Sequence, residues 1–402
     1  MPGDVLNGLR VLAVEQYGAG PFATQHLADL GADVIKIEHP HNGGDMSRSI
    51  GPYFDERLPA TAQSLFFQSV NRNKKSFTLD LSRPEGLEIF GRLAATADAV
   101  ASNMRGDVVD KLGINYAGLR ASNPAIVCAH LTGYGRTGPR AKWPGYDYLM
   151  QAEAGYFDLT GDPQSAPARM GLSIIDFMTG TTLSLALLAG VVSARRTGQG
   201  RDLDVSLFGV AMHNLNYIAH WTLNCGVETS RLARSAHPVL TPCQTYRTGD
   251  GWIYLMCNKE KFWPILCAHV ERPEWASDPR FATFADRLNN RALLTELLDE
   301  ALSARTTADW LALFGGSIPA APILSVAKAI ESDFAREHGA FEPIDMGERE
   351  RPLVMMSNPI RSGPGTTSPS TGPALGADTD ILMNEIGADA DRIAWLRAAG
   401  IL

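Results

Sequence analysis

The chain lacks the residue patterns that build disulfide frameworks, metal centres and serine hydrolases. Its five cysteines are odd in number, form no C-x-x-C pair and are not spaced with histidine as in a zinc site, so we expect reduced thiols in a cytoplasmic protein. The nine histidines are scattered along the 402 residues, and we predict no metal. No G-x-S-x-G motif occurs, which excludes the nucleophile elbow of an α/β-hydrolase.

Positive charge is also scarce. The chain has 36 Lys and Arg against 44 Asp and Glu, a formal net charge of −8, which argues against nucleic acid or an anionic membrane as the main partner. An anionic small molecule needs only a local basic patch and stays compatible with this balance. The opening residues, MPGDVLNGLRVL, show neither a basic n-region nor a cleavage site, so no secretory signal is predicted there.

Long apolar runs are absent but for one. Residues 177–194 carry no charge over 18 positions, close to the shortest stretch that spans a bilayer. Because the run contains three threonines, two serines and two glycines, we predict a buried core helix and no membrane segment.

A chain of this length predicts two domains, and its first 225 residues alternate strand and helix patterns. The predicted strands are 9–16, 32–38, 76–81, 98–102 and 125–131. Helices are expected to begin near Pro21 and after a capping box at 82–85. This rhythm is typical of an α/β fold with a Rossmann-like parallel sheet, in which ligands bind at the carboxyl ends of the strands.

Beyond residue 225 the pattern changes. The run TPCQTYRTGDGWIYLMC predicts a β-hairpin that turns at 249–251. Further helices are predicted near 259–270, 287–304 and 307–315, and a last one near 378–398 after a stretch rich in Gly, Pro, Ser and Thr. We therefore predict a large domain at 1–225, a smaller α+β domain at 226–329 and a C-terminal segment at 330–402.

One carboxylate stands out, because Asp176 is the only charged residue between Arg169 and Arg195. A carboxylate in apolar surroundings is costly unless something satisfies or uses it. At the N-cap of the following helix it would accept backbone N–H groups and complement the helix dipole. The same position would also present the carboxylate to a cleft, so a structural cap and a functional group both remain open.

Two further patterns near the strand ends concern ligands. The turn at 18–20, with Glu38 ending the next strand, imitates a dinucleotide-binding motif, but its third glycine is missing, so no nicotinamide or flavin is predicted. Basic residues also gather there, either as solvated surface charges or as a set that holds a phosphorylated ligand. They are Arg72, Lys74, Lys75, Arg83, Arg105 and Lys111.

Several longer motifs follow one another along the chain: LNGLRVLAVEQYGAGPFATQHLADLGADVIKIEHPHNGGDMSR, VNRNKKSFTLDL, LTGYGRTGP, GYDYLMQAEAG, HPVLTPCQTYRTGDGWIYL and PALGADTDILMNEIG. Together with the run around Asp176 they resemble the family III CoA-transferases, which include formyl-CoA:oxalate and carnitine CoA-transferases, over nearly the whole chain. The resemblance implies coenzyme A or acyl-CoA and small carboxylic acids as substrates. It also implies a homodimer whose ring-like subunits interlock.

The family's catalytic aspartate matches Asp176. The implied mechanism begins when this carboxylate attacks the thioester to form an anhydride, and it continues through aspartyl-CoA. An unperturbed aspartate has a pKa of about 3.9, so we expect it to be ionised at neutral pH without a base. The likeness to the succinyl-CoA-using branch suggests succinyl-CoA or another short dicarboxylyl-CoA as the donor.

The resemblance also assigns binding residues. Positions that match CoA contacts are Gly18, Ala19, His39, Leu79, Ser82, Arg83, Asn103, Met104, Arg105, Lys111 and Tyr146. Acceptor recognition is expected from Gln16 and Tyr17. Arg48 or Arg169 is a candidate partner for a distal carboxylate, although an ion pair within the fold explains either arginine equally well.

Two alternative functions stay open. The α-methylacyl-CoA racemases share the fold and the aspartate but pair it with a histidine, which would fall at Tyr146. A phenol with a pKa of about 10 is a poor partner for reversible proton abstraction at neutral pH. A catalytically silent CoA-binding protein would keep the fold and tolerate the loss of Asp176.

Overall fold

The structure is a computed structural model and describes residues 5–344, 346, 351–361 and 369–402. The chain divides into two compact units. The large unit comprises Met1–Ala154, Gly171–Asn216 and Glu337–Leu402, as far as these ranges are described, and the small unit comprises Gly155–Met170 and Tyr217–Arg336. Residues 155–170, which the sequence had assigned to the large domain, therefore lie in the small unit.

The described strands and helices are numbered in chain order. The strands are β1 (Arg10–Val14), β2 (Asp33–Glu38), β3 (Lys75–Thr78), β4 (Ala99–Ser102), β5 (Val127–Thr132), β6 (Arg201–Ser206), β7 (Cys243–Arg247), β8 (Trp252–Met256), β9 (Ala320–Pro322), β10 (Phe341–Ile344) and β11 (Leu353–Met356). The helices are α1 (Ala19–Asp29), α2 (Leu65–Asn71), α3 (Pro84–Ala94), α4 (Gly106–Leu112), α5 (Tyr116–Leu119), α6 (Asp147–Glu153), α7 (Tyr156–Leu159), α8 (Ile174–Thr197), α9 (Leu207–Asn214), α10 (Asn216–Cys225), α11 (Phe262–His269), α12 (Phe284–Asn289), α13 (Arg291–Leu302), α14 (Thr307–Phe314), α15 (Val326–Glu331), α16 (Asp333–Glu337), α17 (Thr379–Glu385) and α18 (Ala390–Ala398).

A six-stranded sheet organises the large unit in the order β3-β2-β1-β4-β5-β6. Every pairing in it is parallel, which confirms the predicted parallel sheet. The order is that of the Rossmann fold, and its direction reverses between β1 and β4. Ligands of such sheets bind outside the carboxyl ends of the strands at that reversal, so we expect a ligand site there.

Helices α1 and α8 pack against each other, and α8 also covers β5 and β6. Two glycines allow this close approach. A Cβ at Gly180 would lie 2.7 Å from the carbonyl oxygen of Ala19, and one at Gly190 would lie 2.6 Å from Val127. Half of the most apolar window of α8 is buried, as expected of the predicted core helix, although its length and composition would also suit a membrane span.

The opposite face of the sheet packs against α3, α17 and α18. Leu12 and Ile35 from the sheet share one apolar cluster with Phe90, Leu382 and Leu396. The single helix predicted near 378–398 is instead two helices, because the chain turns between α17 and α18 at Gly387, whose φ is +78°.

The predicted capping box at 82–85 is also wrong. Helix α3 begins at Pro84, and no side chain caps its N-terminus. The hydroxyl of Ser82 instead donates to Asp80 Oδ1 at 2.6 Å. Asp80 Oδ1 also accepts from the backbone N–H of Ser82 at 2.9 Å, so Asp80 holds Ser82 in the turn that precedes the helix.

In the small unit, β7 and β8 form the predicted hairpin, and β9 pairs with β8 to complete an antiparallel sheet. An apolar cluster with Tyr246, Trp263, Leu298 and Trp310 forms a core of its own.

Candidate active site

A cavity of about 1370 Å³ lies at the carboxyl ends of the large unit's strands. This volume exceeds the roughly 300–1000 Å³ of common small-molecule pockets, so the cavity suits an extended ligand. Its wall comes from the segments that follow β1 to β5 and from the beginnings of α8 and α9, including Gln16, His39, Asp80, Asn103, Gly133, Asp176 and Leu207.

All of the predicted site residues except Arg48, Arg83 and Arg169 line this cavity. The lining includes Gln16, Tyr17, Gly18, Ala19, His39, Leu79, Ser82, Asn103, Met104, Arg105, Lys111, Tyr146 and Asp176. These residues are spread over more than 150 positions of the chain and are assembled by the parallel strands.

Arg48 and Arg83 are not part of this lining. Arg48 is buried, and its guanidinium donates to both carboxylate oxygens of Glu38 at 2.6 and 2.8 Å, as well as to the carbonyl oxygens of Thr61 and Pro373. The structure therefore shows Arg48 as a structural ion pair. The other candidate, Arg169, belongs to the small unit.

The basic run at 72–75 does not form a phosphate site. Arg72 pairs with Asp29 at 2.6 Å, Lys74 pairs with Glu15 at 2.8 Å, and Lys75 pairs with Asp33 at 2.7 Å. None of the three lines the cavity. Arg105 and Lys111 do line it and are exposed, so that their charges are accessible to a phosphate group, and the imidazole of His39 lies in the same lining.

Asp176 is the third residue of α8, and Ser173 rather than Asp176 occupies the N-cap. Its interpretation as an N-cap is therefore wrong. The backbone N–H of Asp176 donates to Asp147 Oδ2 at 2.9 Å, and the other oxygen of Asp147 accepts from Gln151 Nε2 at 2.6 Å. Asp147 thus holds the first turn of α8 from outside the helix.

Burial, and secondly the nearby charge of Asp147, raises the pKa of Asp176 from 3.8 to about 7. The residue is only 8% exposed. The cavity thus favours the neutral form of this carboxyl group more than water does, because water no longer stabilises the charge. A carboxyl group perturbed in this way and facing a cavity is a candidate functional group.

The beginning of α1 lies directly against this carboxylate. A Cβ at Gly18 would be 3.0 Å from Asp176 Oδ2, so glycine leaves the space that the carboxylate needs. Among the residues that the structure describes, none accepts a hydrogen bond from the N–H groups of Ala19 or Gly20. Such N–H groups at a helix start can stabilise a negative oxygen.

The sequence did not single out Asp147, Asp45 or Lys36. Asp147 lies in the GYDYLM motif directly after Tyr146, so the signal was present but attached to its neighbour. Lys36 lies in the middle of a strand, at a position whose side chain faces a layer of helices, and a charged side chain is unexpected there. That anomaly was the available signal.

Comparison with known proteins agrees with the geometry. The family model of CoA-transferase family III matches residues 6–379. The succinate–glutarate CoA-transferase of Agrobacterium fabrum is 33% identical over 373 residues, which cover 89% of this chain and 90% of that protein. The acetyl-CoA:oxalate CoA-transferase of Acetobacter aceti is 35% identical and covers 82% of this chain and 83% of its own.

Solved structures share the fold. A CaiB/BaiF family protein from Brucella suis is 34% identical and superposes with a TM-score of 0.82, covering 96% of this chain and all of that one.

Proposed function

The chain belongs to CoA-transferase family III, and we propose that it moves coenzyme A from succinyl-CoA or another short dicarboxylyl-CoA to a carboxylic acid, with Asp176 as the nucleophile. One observation carries this proposal: a buried carboxylate faces a cavity large enough for CoA, between the beginnings of two helices. Carboxylates are the nucleophiles that accept an acyl group from sulfur and return it.

In the proposed first half-reaction, an oxygen of Asp176 attacks the thioester carbonyl, the carbon–sulfur bond breaks, and an acyl-aspartyl anhydride and CoA thiolate form. The thiolate then attacks the aspartyl carbonyl of the anhydride. This step forms aspartyl-CoA and releases the donor as a carboxylate. The acceptor carboxylate repeats both steps in reverse order, which regenerates Asp176.

The surroundings of Asp176 suit these steps. Burial leaves the ionised carboxylate poorly solvated, which makes its electron pairs available, and it also limits the water that would hydrolyse an anhydride. The N–H groups of Ala19 and Gly20, which have no acceptor among the described residues, would donate to the oxygen that becomes negative when the thioester is attacked. His39, Arg105 and Lys111 would hold the phosphate groups of CoA.

The substrates are proposed from relatives. A human succinyl-CoA:glutarate CoA-transferase is 31% identical over 407 residues, and a succinyl-CoA:mesaconate CoA-transferase of Haloarcula marismortui is 31% identical over 391 residues. Succinyl-CoA is the donor that recurs in these names, so we propose it as the first donor to test. We further propose that the protein acts in the cytoplasm as an interlocked homodimer, which multi-angle light scattering would detect as twice the 43.4 kDa chain mass.

Mass spectrometry tests the mechanism directly. The protein is incubated with succinyl-CoA, acetyl-CoA or a 2-methylacyl-CoA and digested at low pH, and the peptide that contains Asp176 is examined. We expect a CoA-sized adduct on this peptide with the true donor. Glutarate, oxalate and mesaconate are then added, and the acceptor is identified by loss of the adduct and appearance of a new acyl-CoA.

Two variants serve as controls. Asp176→Ala should lose the adduct and the transfer activity, whereas Asp29→Asn, which removes a carboxylate outside the cavity, should keep both. Deuterium exchange at the α-carbon of the 2-methylacyl-CoA, without any adduct, would instead support a racemase. Tight CoA binding with neither reaction would support a silent binding protein.

A further inference from the structure

A buried cluster of charges lies at the wall of the cavity and takes no part in the proposed chemistry. Lys36 on β2 is fully buried, and its Nζ lies 2.7 Å from Asp45 Oδ2. Asp45 follows β2, is 2% exposed, and its own backbone N–H donates to Glu38 at 2.9 Å. Buried ion pairs are not required for stability, because apolar residues of equal volume often serve as well.

The pair holds the backbone between β1 and α1. Lys36 Nζ donates to the carbonyl oxygen of Glu15 at 3.2 Å, and Asp45 Oδ1 accepts from the N–H of Tyr17 at 3.0 Å. The groups between these two are held by Asn103, whose side chain accepts from the N–H of Gln16 at 2.8 Å and donates to its carbonyl oxygen at 2.6 Å. Two successive peptide units thus have both their donors and their acceptors bound by side chains.

The orientation of these peptide units decides where Gly18 lies. Tyr17 has a φ of +70°, a left-handed conformation that side-chain-bearing residues rarely adopt. A held conformation of this kind persists only where the surroundings determine it. The next residue is Gly18, whose Cα faces Asp176 Oδ2, and α1 begins at Ala19. A rotation of the peptide unit at residues 16–17 would therefore move the wall against which the nucleophile rests.

We propose that the Lys36–Asp45 ion pair is a positioning device that, with Asn103, fixes the peptide units of residues 15–17 and so sets Gly18 and the beginning of α1 against the Asp176 carboxylate. This inference rests on the proposed function. In this inference the side-chain amide of Asn103 binds the backbone of Gln16 with both its oxygen and its nitrogen, rather than binding CoA directly.

A matched pair of double variants tests the device. Lys36→Met with Asp45→Asn removes both charges but keeps an oxygen that can accept from the Tyr17 N–H. Lys36→Met with Asp45→Leu removes the same charges and fills a similar volume without an acceptor. We expect the kcat of the leucine variant to be lower than that of the asparagine variant by about tenfold or more, because reacting groups that are misplaced react slowly. The CoA dissociation constants should agree within about threefold.

Hydrogen exchange adds a readout that does not depend on activity. The amides of Gln16 and Tyr17 should exchange faster in the leucine variant than in the asparagine variant. Arg72→Met with Asp29→Leu removes another buried ion pair, one that does not contact residues 15–18, and should leave kcat unchanged at a similar loss of stability.

The outcomes separate this inference from the proposed function. Values of kcat and of amide exchange that equal those of an active wild type in both variants would overturn the inference alone. A wild type that forms no adduct and transfers CoA to no acceptor would overturn the proposed function, and the catalytic role of the ion pair with it. Loss of CoA binding in the leucine variant, with kcat retained, would show a binding element instead of a positioning one.

Discussion

Replacing Asp176 by asparagine should stabilise the folded protein, and the gain should grow between pH 5 and pH 8. The carboxyl group has a pKa of about 7 in the fold and an ordinary value of 3.8 in an unfolded chain. The folded state therefore binds the proton more tightly. Its stability falls as pH rises from the unfolded to the folded pKa, and it levels off above about 7.

The size of the effect follows from these two values. Relative to a low pH at which the group is protonated in both states, its titration destabilises the fold by about 4 kcal/mol at pH 8 and by about 2 kcal/mol at pH 5. Asparagine has nearly the same shape and cannot ionise, so its burial makes the same contribution to the free energy of unfolding at pH 5 and at pH 8. The stability difference between Asp176→Asn and wild type should thus increase by about 2–3 kcal/mol between pH 5 and pH 8.

The assay is urea unfolding of both proteins, followed by circular dichroism at pH 5, 6, 7 and 8. Asp110→Asn is the control. Partial burial tends to raise the pKa of Asp110, but hydrogen bonds from Asn115 and Arg136 lower it overall, so this residue stays ionised throughout that range. Its variant should differ from wild type by the same amount at every pH. An Asp176→Asn difference that is constant with pH, or that shrinks towards pH 8, would refute the reasoning.

Three further predictions concern catalysis. The kcat/KM for acyl-CoA should rise with pH to a plateau above about 7, because the proposed nucleophile, Asp176, must lose its proton. Asp147→Asn should move this rise to lower pH when kcat/KM is measured across the pH range. Gly18→Ala should lower kcat by about tenfold or more with little loss of thermal stability, because the added methyl group displaces Asp176 Oδ2; an unchanged kcat would contradict that contact. Lys111→Ala should raise the KM for acyl-CoA by about three- to tenfold at unchanged kcat, and added salt should reduce the difference between variant and wild type.

The parallel sheet could be predicted because most of its strands belong to short runs of apolar residues that a turn and a helix pattern follow. The predicted strand at 32–38 and the observed β2 at Asp33–Glu38 differ by one residue. Strand β6 has a weaker signal, since it lies at the edge of the sheet and only one of its six residues is buried. Local patterns cannot report which strands become neighbours.

The site could be predicted only in part, for a related reason. Asp176 was found because it is an isolated charge in an apolar run, and this signal is local. Its pKa was not found, because the shift arises from burial and from Asp147, 29 positions away. The roles of Lys36 and Asp45 depend on contacts with residues before α1, which the sequence does not show. Arg48 was predicted to bind a substrate carboxylate because its ion-pair partner, Glu38, lies ten positions away in the sequence.

Strand β3 lies at the edge of the six-stranded sheet and forms hydrogen bonds with residues that are translated much later. The N–H of Ser76 donates to Asp378, 302 positions away, and the N–H of Thr78 donates to Thr379. At about 5–20 residues per second of translation, this edge stays uncovered for roughly 15–60 s. Unpaired edges recruit other strands, so nascent chains stalled before residue 376 should aggregate more readily than chains released after it. The sheet of the large unit is therefore hydrogen-bonded along this edge only when residues near the end of the printed sequence have been added.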